Sequence, residues 1–311
     1  SHAGCAPRLG WIAGTRSPMG GTGRSPGYRR SGIVIGERGM AETTNHRIRL
    51  YRTEAIVLRR RDLGEADRIL TLFTPKAGKL RVIAKGIRRP QSRLAGHLDL
   101  FVRTQVLLAR GRELDLVTQA QLVEPFTGLR REPWRAGWAG YLADLTDRAT
   151  ADEDPQPALY DLLLECLRLL AELPDPFAVV RRFEMRLLVL LGYQPELVVC
   201  PHCGKQLTPG RLAFAPDHGG ILCGECVGHS AGEVPLSVGA VKALRLLLAD
   251  HWQELARRPL SLALRGQITS ALQAALQAHI GDIAASAAVA TLLQEEGHDD
   301  GHPPSLAGTS R

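Results

Sequence analysis

The sequence predicts an α+β, multidomain protein: a small N-terminal β-barrel of five strands, then an α-helical domain with an inserted four-cysteine metal module. Three observations predict it. Between Glu54 and Pro125 apolar residues recur with a period of two, the spacing of half-buried strands. Beyond Pro125 the period becomes 3.6, that of amphipathic helices. Within the helical half, Cys200, Cys203, Cys223 and Cys226 form two C-x₂-C pairs with 19 residues between them.

Five strands fit the first region. Residues 55–59 and 68–73 form the first two, Pro75-Lys76-Ala77-Gly78 is a turn, and 79–85 is a third strand on which Leu80, Val82 and Ala84 alternate. A basic loop, 86–96, leads to a long fourth strand at 98–108, and Gly111 turns the chain into a fifth at 113–122. Five short strands in about seventy residues make a small barrel, with the OB-fold the leading form and an SH3-like barrel the second.

Helices are expected at 134–149, 157–172 and 177–191, interrupted at Asp154-Pro155 and Pro174-Asp175-Pro176, and again at 237–252 and 262–280. Residues 1–44 hold many Gly, Ser, Pro and Arg without periodicity and read as a disordered extension, with Met40 a candidate native start. The formal G-x-S-x-G there, Gly23-Arg24-Ser25-Pro26-Gly27, is no hydrolase elbow, because Pro26 has no N–H to give an oxyanion hole. The expected plan is thus a 1–44 extension, a 45–125 basic nucleic-acid-binding barrel, helical parts at 126–196 and 231–295 around a 197–230 cysteine module, and a 296–311 tail.

The cysteine spacing is that of a closed, tetrahedral zinc site built from two knuckles. Pro201, Gly204 and Gly224 suit the tight turns, and residues 205–222 can form a short hairpin that brings the pairs together. Two disulfides or a redox pair are the competing readings. A single redox pair would not require a second pair at this distance, and the other cysteines, Cys5 and Cys166, have no ligand-spaced neighbour. One structural Zn²⁺ on four cysteines leaves no position for water or substrate, so function must lie elsewhere. His202, His218 and His229 are weaker substitute ligands.

The net charge of +7 is unevenly spread. Residues 45–125 hold 17 Lys and Arg against 8 Asp and Glu, whereas residues 126–311 hold 16 against 22. A basic domain joined to an acidic one points to a polyanionic partner for the first. The densest stretch, 79–93, carries Lys79, Arg81, Lys85, Arg88, Arg89 and Arg93 with no acid among them. Lys79, Arg81 and Lys85 share one strand face at a spacing of about 7 Å, which suits the phosphates of an extended single strand. Arg59-Arg60-Arg61 extends this patch unless Asp62, Glu65 and Asp67 neutralise it. Phe73 and Phe101 read as core rather than as stacking platforms, so binding should be electrostatic and weakly sequence-selective.

Catalytic signatures are missing. Lys79 after Gly78 is followed by Leu80, not by Ser or Thr as in a phosphate-binding loop, and there is no H-E-x-x-H or deaminase H-x-E. The acidic run Asp152-Glu153-Asp154 falls in a helix-breaking stretch and reads as a solvated linker. No run of 18 apolar residues exists.

Four segments carry a family resemblance: Thr53-Glu54-Ala55-Ile56-Val57-Leu58; Gly64-Glu65-Ala66-Asp67-Arg68-Ile69-Leu70-Thr71-Leu72-Phe73-Thr74; Gly78-Lys79-Leu80; and Ala84-Lys85-Gly86-Ile87-Arg88-Arg89-Pro90. In order and spacing they resemble the N-terminal domain of the bacterial RecO family, and the likeness extends over roughly 50–290 through the cysteine pairs. The resemblance implies an OB-domain followed by a helical domain with a zinc module. It also implies a recombination mediator that is not an enzyme. Such a protein binds single- and double-stranded DNA, anneals complementary strands, and acts with RecR to help RecA replace single-strand-binding protein on gapped DNA. The six cations of 79–93 are its implied DNA contacts. A groove near Arg130, Arg131, Arg181 and Arg182 is a candidate seat for RecR or for the acidic tail of single-strand-binding protein. The expected location is cytoplasmic, with the nucleoid. Two alternatives stay open: a zinc-ribbon nuclease, and an RNA-binding scaffold protein.

Overall fold

A computed structural model of the chain describes residues 49–281. The expectations for 1–44 and for the 296–311 tail lie outside the described residues, as does the second helical part beyond 281.

Five strands, β1 (Leu50–Leu63), β2 (Asp67–Thr74), β3 (Gly78–Ala84), β4 (Arg103–Ala109) and β5 (Asp115–Glu124), close into a barrel in the order β1-β2-β3-β5-β4. β1 closes it by pairing with both β2 and β4, and β3 runs parallel to β5 at Val82↔Asp115. This is the OB-fold connectivity, the leading form expected. The interior is apolar: Val57, Leu70, Leu72, Val82, Val106 and Leu108 are fully buried, and Ile87 and Leu98 from the β3–β4 connection join the same cluster.

β1 is longer than its apolar stripe because its two halves serve different neighbours, residues 50–56 pairing with β4 and residues 56–63 with β2. β4 is shorter than expected. Phe101 takes a left-handed backbone (φ 62°), which breaks the regular ladder there. The Phe101 N–H still donates to the Val57 carbonyl at 2.9 Å and the Val57 N–H to the Val102 carbonyl at 3.2 Å, and Leu98 and Val102 belong to the barrel core. Their alternation thus reports burial and not strand.

The helical part contains α1 (Pro133–Ala149), α2 (Pro157–Glu172), α3 (Phe177–Leu190), α4 (Val238–Leu248), a short α5 (Trp252–Ala256) and α6 (Leu262–Ile280). Proline opens α1 and α2, where a missing N–H costs nothing, and Ser237 and Ser261 cap α4 and α6. The helix expected to run to Trp252 stops at Leu248, because Asp250 adopts φ 59° and Trp252 starts a new turn. Between α3 and α4 lies a three-stranded sheet, β6 (Leu212–Ala215), β7 (Gly220–Leu222) and β8 (Val234–Leu236), ordered β7-β6-β8. No described helix is long and apolar enough to cross a membrane.

One hydrophobic core joins barrel and helices. Ile56, Leu58 and Phe73, on the outer faces of β1 and β2, pack with Trp138, Tyr141 and Tyr160 and are sealed from water. The change of period at Pro125 therefore marks a change of architecture within a shared core. The segment after α1 adds to the junction: the Glu153 N–H donates to the Lys79 carbonyl at 2.9 Å. Gly78 (φ 67°) lies so close that a Cβ there would meet the Asp154 carbonyl at 2.3 Å. The expected solvated linker is instead docked on the start of β3.

Candidate nucleic-acid interface and metal centre

The cations of β3 do not form three free heads. Lys79 is buried: its Nζ donates to the Asp147 carbonyl at 2.7 Å and pairs with the carboxylates of Asp147 (3.0 Å) and Asp152 (3.6 Å). Arg81, exposed, is held by Asp152 through Nε at 3.0 Å and Nη2 at 2.5 Å. The Arg81 hydrogen bond holds the Asp152 carboxyl below the usual carboxylate range, and the same bond raises Arg81. Arg59 is taken by Asp144 and Asp147, and Arg60 by Asp99. No acid lies within residues 79–93, but α1 and the segment after it supply Asp144, Asp147 and Asp152 to Arg59, Lys79 and Arg81.

The far end of β3 is different. Lys85, Arg89 and Arg93 are exposed and make no ion pair with any described residue. The loop carrying them is built rather than slack. Gly86 (φ 65°) donates its N–H to the Asp67 carboxylate at 2.8 Å, and the Arg88 N–H donates to the Ala66 carbonyl at 3.0 Å. The Arg88 side chain donates to the Gly64 carbonyl at 3.1 Å and lies 3.5 Å from Asp62. These bonds pin the loop to the β1–β2 turn. Arg61 on β1, also exposed and without an ion pair among the described residues, lies in register with Ile69 and Ile83 across the three strands. Of the three acids near Arg61, Asp62 is committed to Arg68 and Arg88 and Asp67 to Gly86, while Glu65 is exposed and pairs with no cation among the described residues.

The barrel offers no free aromatic platform among the described residues. Phe73 is buried with its ring 6.0 Å from Tyr160, Phe101 packs on the helical core, and Phe126 is buried. Tyr51 donates its hydroxyl to Asp115 and carries Arg110 over its ring at 4.6 Å.

The expected partner groove is not formed as such. Arg181 is 2% exposed and paired with the wholly buried Glu184 at 2.9 Å, which also accepts from the Tyr141 hydroxyl at 2.6 Å. Arg182 is held by Asp250 (2.6 Å) and Glu165 (3.0 Å). Both side chains are buried in the helical part and present no free charge to a partner. Helical periodicity places them on an inward face, and that periodicity is the signal in the sequence that separates them from surface cations. Arg130 pairs with Asp99 at 3.1 Å, and Arg131 lines a cleft of about 530 Å³ beside the end of α2.

The sulfurs of Cys200, Cys203, Cys223 and Cys226 lie within 4.8 Å of one another, with Cys203 and Cys223 3.7 Å apart. None is in a disulfide. A metal with sulfurs at about 2.3 Å in a tetrahedron separates them by about 3.8 Å, so the cluster fits a metal ion. The intervening chain forms the expected hairpin, β6 and β7, turning at Gly219 (φ 63°). Burial raises the Cys200 thiol, but the N–H groups of Cys223, Cys203 and His202 outweigh this and bring it to about 6. Burial, with the neighbouring sulfurs, pushes Cys226 up to about 12. Four thiolates this close cannot all ionise without a cation between them. No histidine joins the cluster among the described residues: His202 sits 5.5 Å, ring to ring, from both His218 and His229.

Two family models match the chain, Recombination protein O N terminal over 48–126 and Recombination protein O C terminal over 130–286. The DNA repair protein RecO of a Roseiflexus species is 41% identical over 231 residues, 74% of this chain and 81% of that protein. That of Pelotomaculum thermopropionicum is 43% identical over 201 residues, 65% and 78% of the two chains. That of Dehalococcoides mccartyi is 36% identical over 230 residues, 74% and 89%. With both halves matched by the family models and relatives 36–43% identical over most of both chains, the chain belongs to the RecO family of DNA repair proteins.

Proposed function

We propose that this chain is a recombination mediator without an enzymatic step. It binds single- and double-stranded DNA, anneals complementary strands, and acts with RecR to help RecA replace single-strand-binding protein on gapped DNA. The carrying observation is the barrel end where Lys85, Arg89 and Arg93 stand exposed and free of ion pairs with described residues, beside Arg88. Two single strands repel each other through their phosphates. A surface that neutralises phosphates, with no ring on which to stack bases, leaves the pairing edges free. Of the six cations expected to contact DNA, Arg81, Lys85, Arg88, Arg89 and Arg93 take that role. Lys79 instead positions β3 against the helices. The four cysteines hold one Zn²⁺, which fixes the module between α3 and α4 and supplies no reactive position.

The nuclease alternative needs clustered, unpaired acids, and the acidic run that could supply them is engaged at Asp152 by Arg81 and Lys79. The test is annealing of complementary strands coated with single-strand-binding protein, with and without RecR. The expected result is ATP-free annealing and no cleavage in Mg²⁺. Strand cleavage, or competition by RNA far stronger than by single-stranded DNA, would overturn the proposal.

A further inference from the structure

The outward side chains of β1, β4 and β5 enclose an open groove of about 560 Å³. Gln105 of β4 and Gln119 and Gln121 of β5 form its floor, with Gln105 and Gln121 directly paired across the strands. Arg52 stands on the β1 side. Arg93 and His97 stand on the other, where the His97 Nδ1 accepts the Leu122 N–H of β5 at 3.3 Å. No Asp or Glu lines the groove. Among the described residues, Arg52 and Arg93 make no ion pair and the three glutamine amides make no hydrogen bond. Elsewhere on the same strands Arg59 pairs with Asp144, and Arg103 with Glu54 and Glu124, while Arg61 at the far end of β1 is unpaired among the described residues.

This combination selects among ligands. Two free guanidinium groups at the rims, with no carboxylate between them, favour a polyanion. Amides on the floor both donate and accept, as base edges do; a single strand lying in a concave groove can turn unpaired bases onto them, whereas a duplex keeps its edges inside its own grooves. Arg93 also ends the loop that bears Lys85, Arg88 and Arg89, so the groove continues from the free cationic end of the barrel.

We propose that this groove binds a short segment of single-stranded nucleic acid, with Arg52 and Arg93 on its phosphates and Gln105, Gln119 and Gln121 on its base edges. The proposal rests on the DNA-binding function above and gives the single strand a path of its own. A short segment held here orients the strand, while the bases beyond it remain free to pair.

The experiment uses the full chain, a bromodeoxyuridine-substituted oligonucleotide for photocrosslinking with mass-spectrometric mapping, and anisotropy titrations. The titrations use an ordinary single strand, the same strand with internal abasic sites, and a duplex. Gln105→Ala with Gln121→Ala should weaken ordinary single-strand binding about five- to tenfold, leaving the abasic strand, the duplex and the salt slope unchanged. Arg52→Ala with Arg93→Ala should flatten the single-strand log–log salt slope by about 1.4. Both variants should melt like the parent protein, and crosslinks should map to the groove. If both variants bind as the parent while Arg88→Ala with Arg89→Ala weakens binding, the groove proposal fails and the DNA-binding function stands. If the arginine variant weakens all three probes alike and the glutamine variant changes none, the groove reads no bases and the proposal also fails. A parent protein that binds no DNA overturns both.

Discussion

Arg81 on β3 and Asp152 after α1 form a two-pronged ion pair, the Nε and Nη2 of the guanidinium donating to one carboxylate oxygen at 3.0 and 2.5 Å. Arg81 remains 60% exposed and Asp152 41% exposed. The carboxylate therefore occupies the anion position of an otherwise solvent-facing guanidinium, and it competes with any phosphate offered to Arg81 under the proposed DNA-binding function.

Removing that competitor should tighten DNA binding. Exposed ion pairs are worth about 0.2–1 kcal/mol, so Asp152→Asn should raise single-strand affinity by about 1.4-fold to fivefold. Fluorescence anisotropy at fixed salt checks this. Unchanged affinity would mean that Arg81 does not touch the DNA.

Acid should loosen the junction between barrel and helices. Hydrogen bonds from Arg103, Arg168 and Arg81 respectively hold Glu54, Glu124 and Asp152 below the usual carboxylate range. Groups lowered in the folded state contribute stability that is fully present above their unfolded values near 4. It is lost as pH falls through the lower folded values. Urea midpoints should drop below about pH 4, and Glu54→Gln should reduce that drop while lowering the midpoint at pH 7. A variant whose midpoint tracks the parent at every pH would contradict this.

Loss of one metal ligand should cost stability far more than DNA binding. Structural zinc supplies roughly 10–16 kcal/mol of apparent binding energy in small finger peptides. Here the module is braced by β8 and the helices, so Cys200→Ser should lose the metal and melt earlier without unfolding the barrel. Metal analysis and a thermal melt monitor this. A protein isolated with two disulfides and no metal would refute the assignment.

Arg88→Ala with Arg89→Ala should weaken all DNA sequences by a similar factor. The salt slope should flatten by about 0.7 for each phosphate that the protein no longer neutralises. Weaker binding at unchanged slope would show that the pair acts through the fold, by removing the Arg88 side-chain bond that ties the loop to the Gly64 carbonyl.

Much of this architecture is legible in the sequence. The period of two around Leu70, Leu72 and Val82 marks the barrel interior, and the cysteine spacing anticipates a cluster that closes to within 4.8 Å. What stays hidden depends on partners distant in the chain. Lys79 lies 68 residues from Asp147 and Arg81 lies 71 from Asp152, so a local absence of acids does not mean free cations. Phe73 alternates as barrel core does, yet it faces the helices, because β2 is buried on both sides. Arg181 is placed on an inward face by helical periodicity, but the Tyr141 hydroxyl of α1 that reaches its partner Glu184 lies 43 residues away and could not be read locally. The groove on β4 and β5 leaves no mark in the sequence, because glutamines carry no charge and Arg52 lies far from Arg93 along the chain.

The central claim is that annealing depends on the free cationic end of the barrel and on no chemical step. It is tested most directly by annealing complementary oligonucleotides without nucleotide cofactor across a salt series, using the parent chain and the change Arg81→Ala, Lys85→Ala, Arg88→Ala and Arg89→Ala. The account predicts that the parent anneals without ATP. Its rate should pass through a maximum as salt rises, since strands are held too tightly at low salt and are no longer neutralised at high salt. The quadruple variant should keep its helical circular dichroism and lose annealing. Annealing that requires ATP, or that survives the quadruple change, would contradict the account.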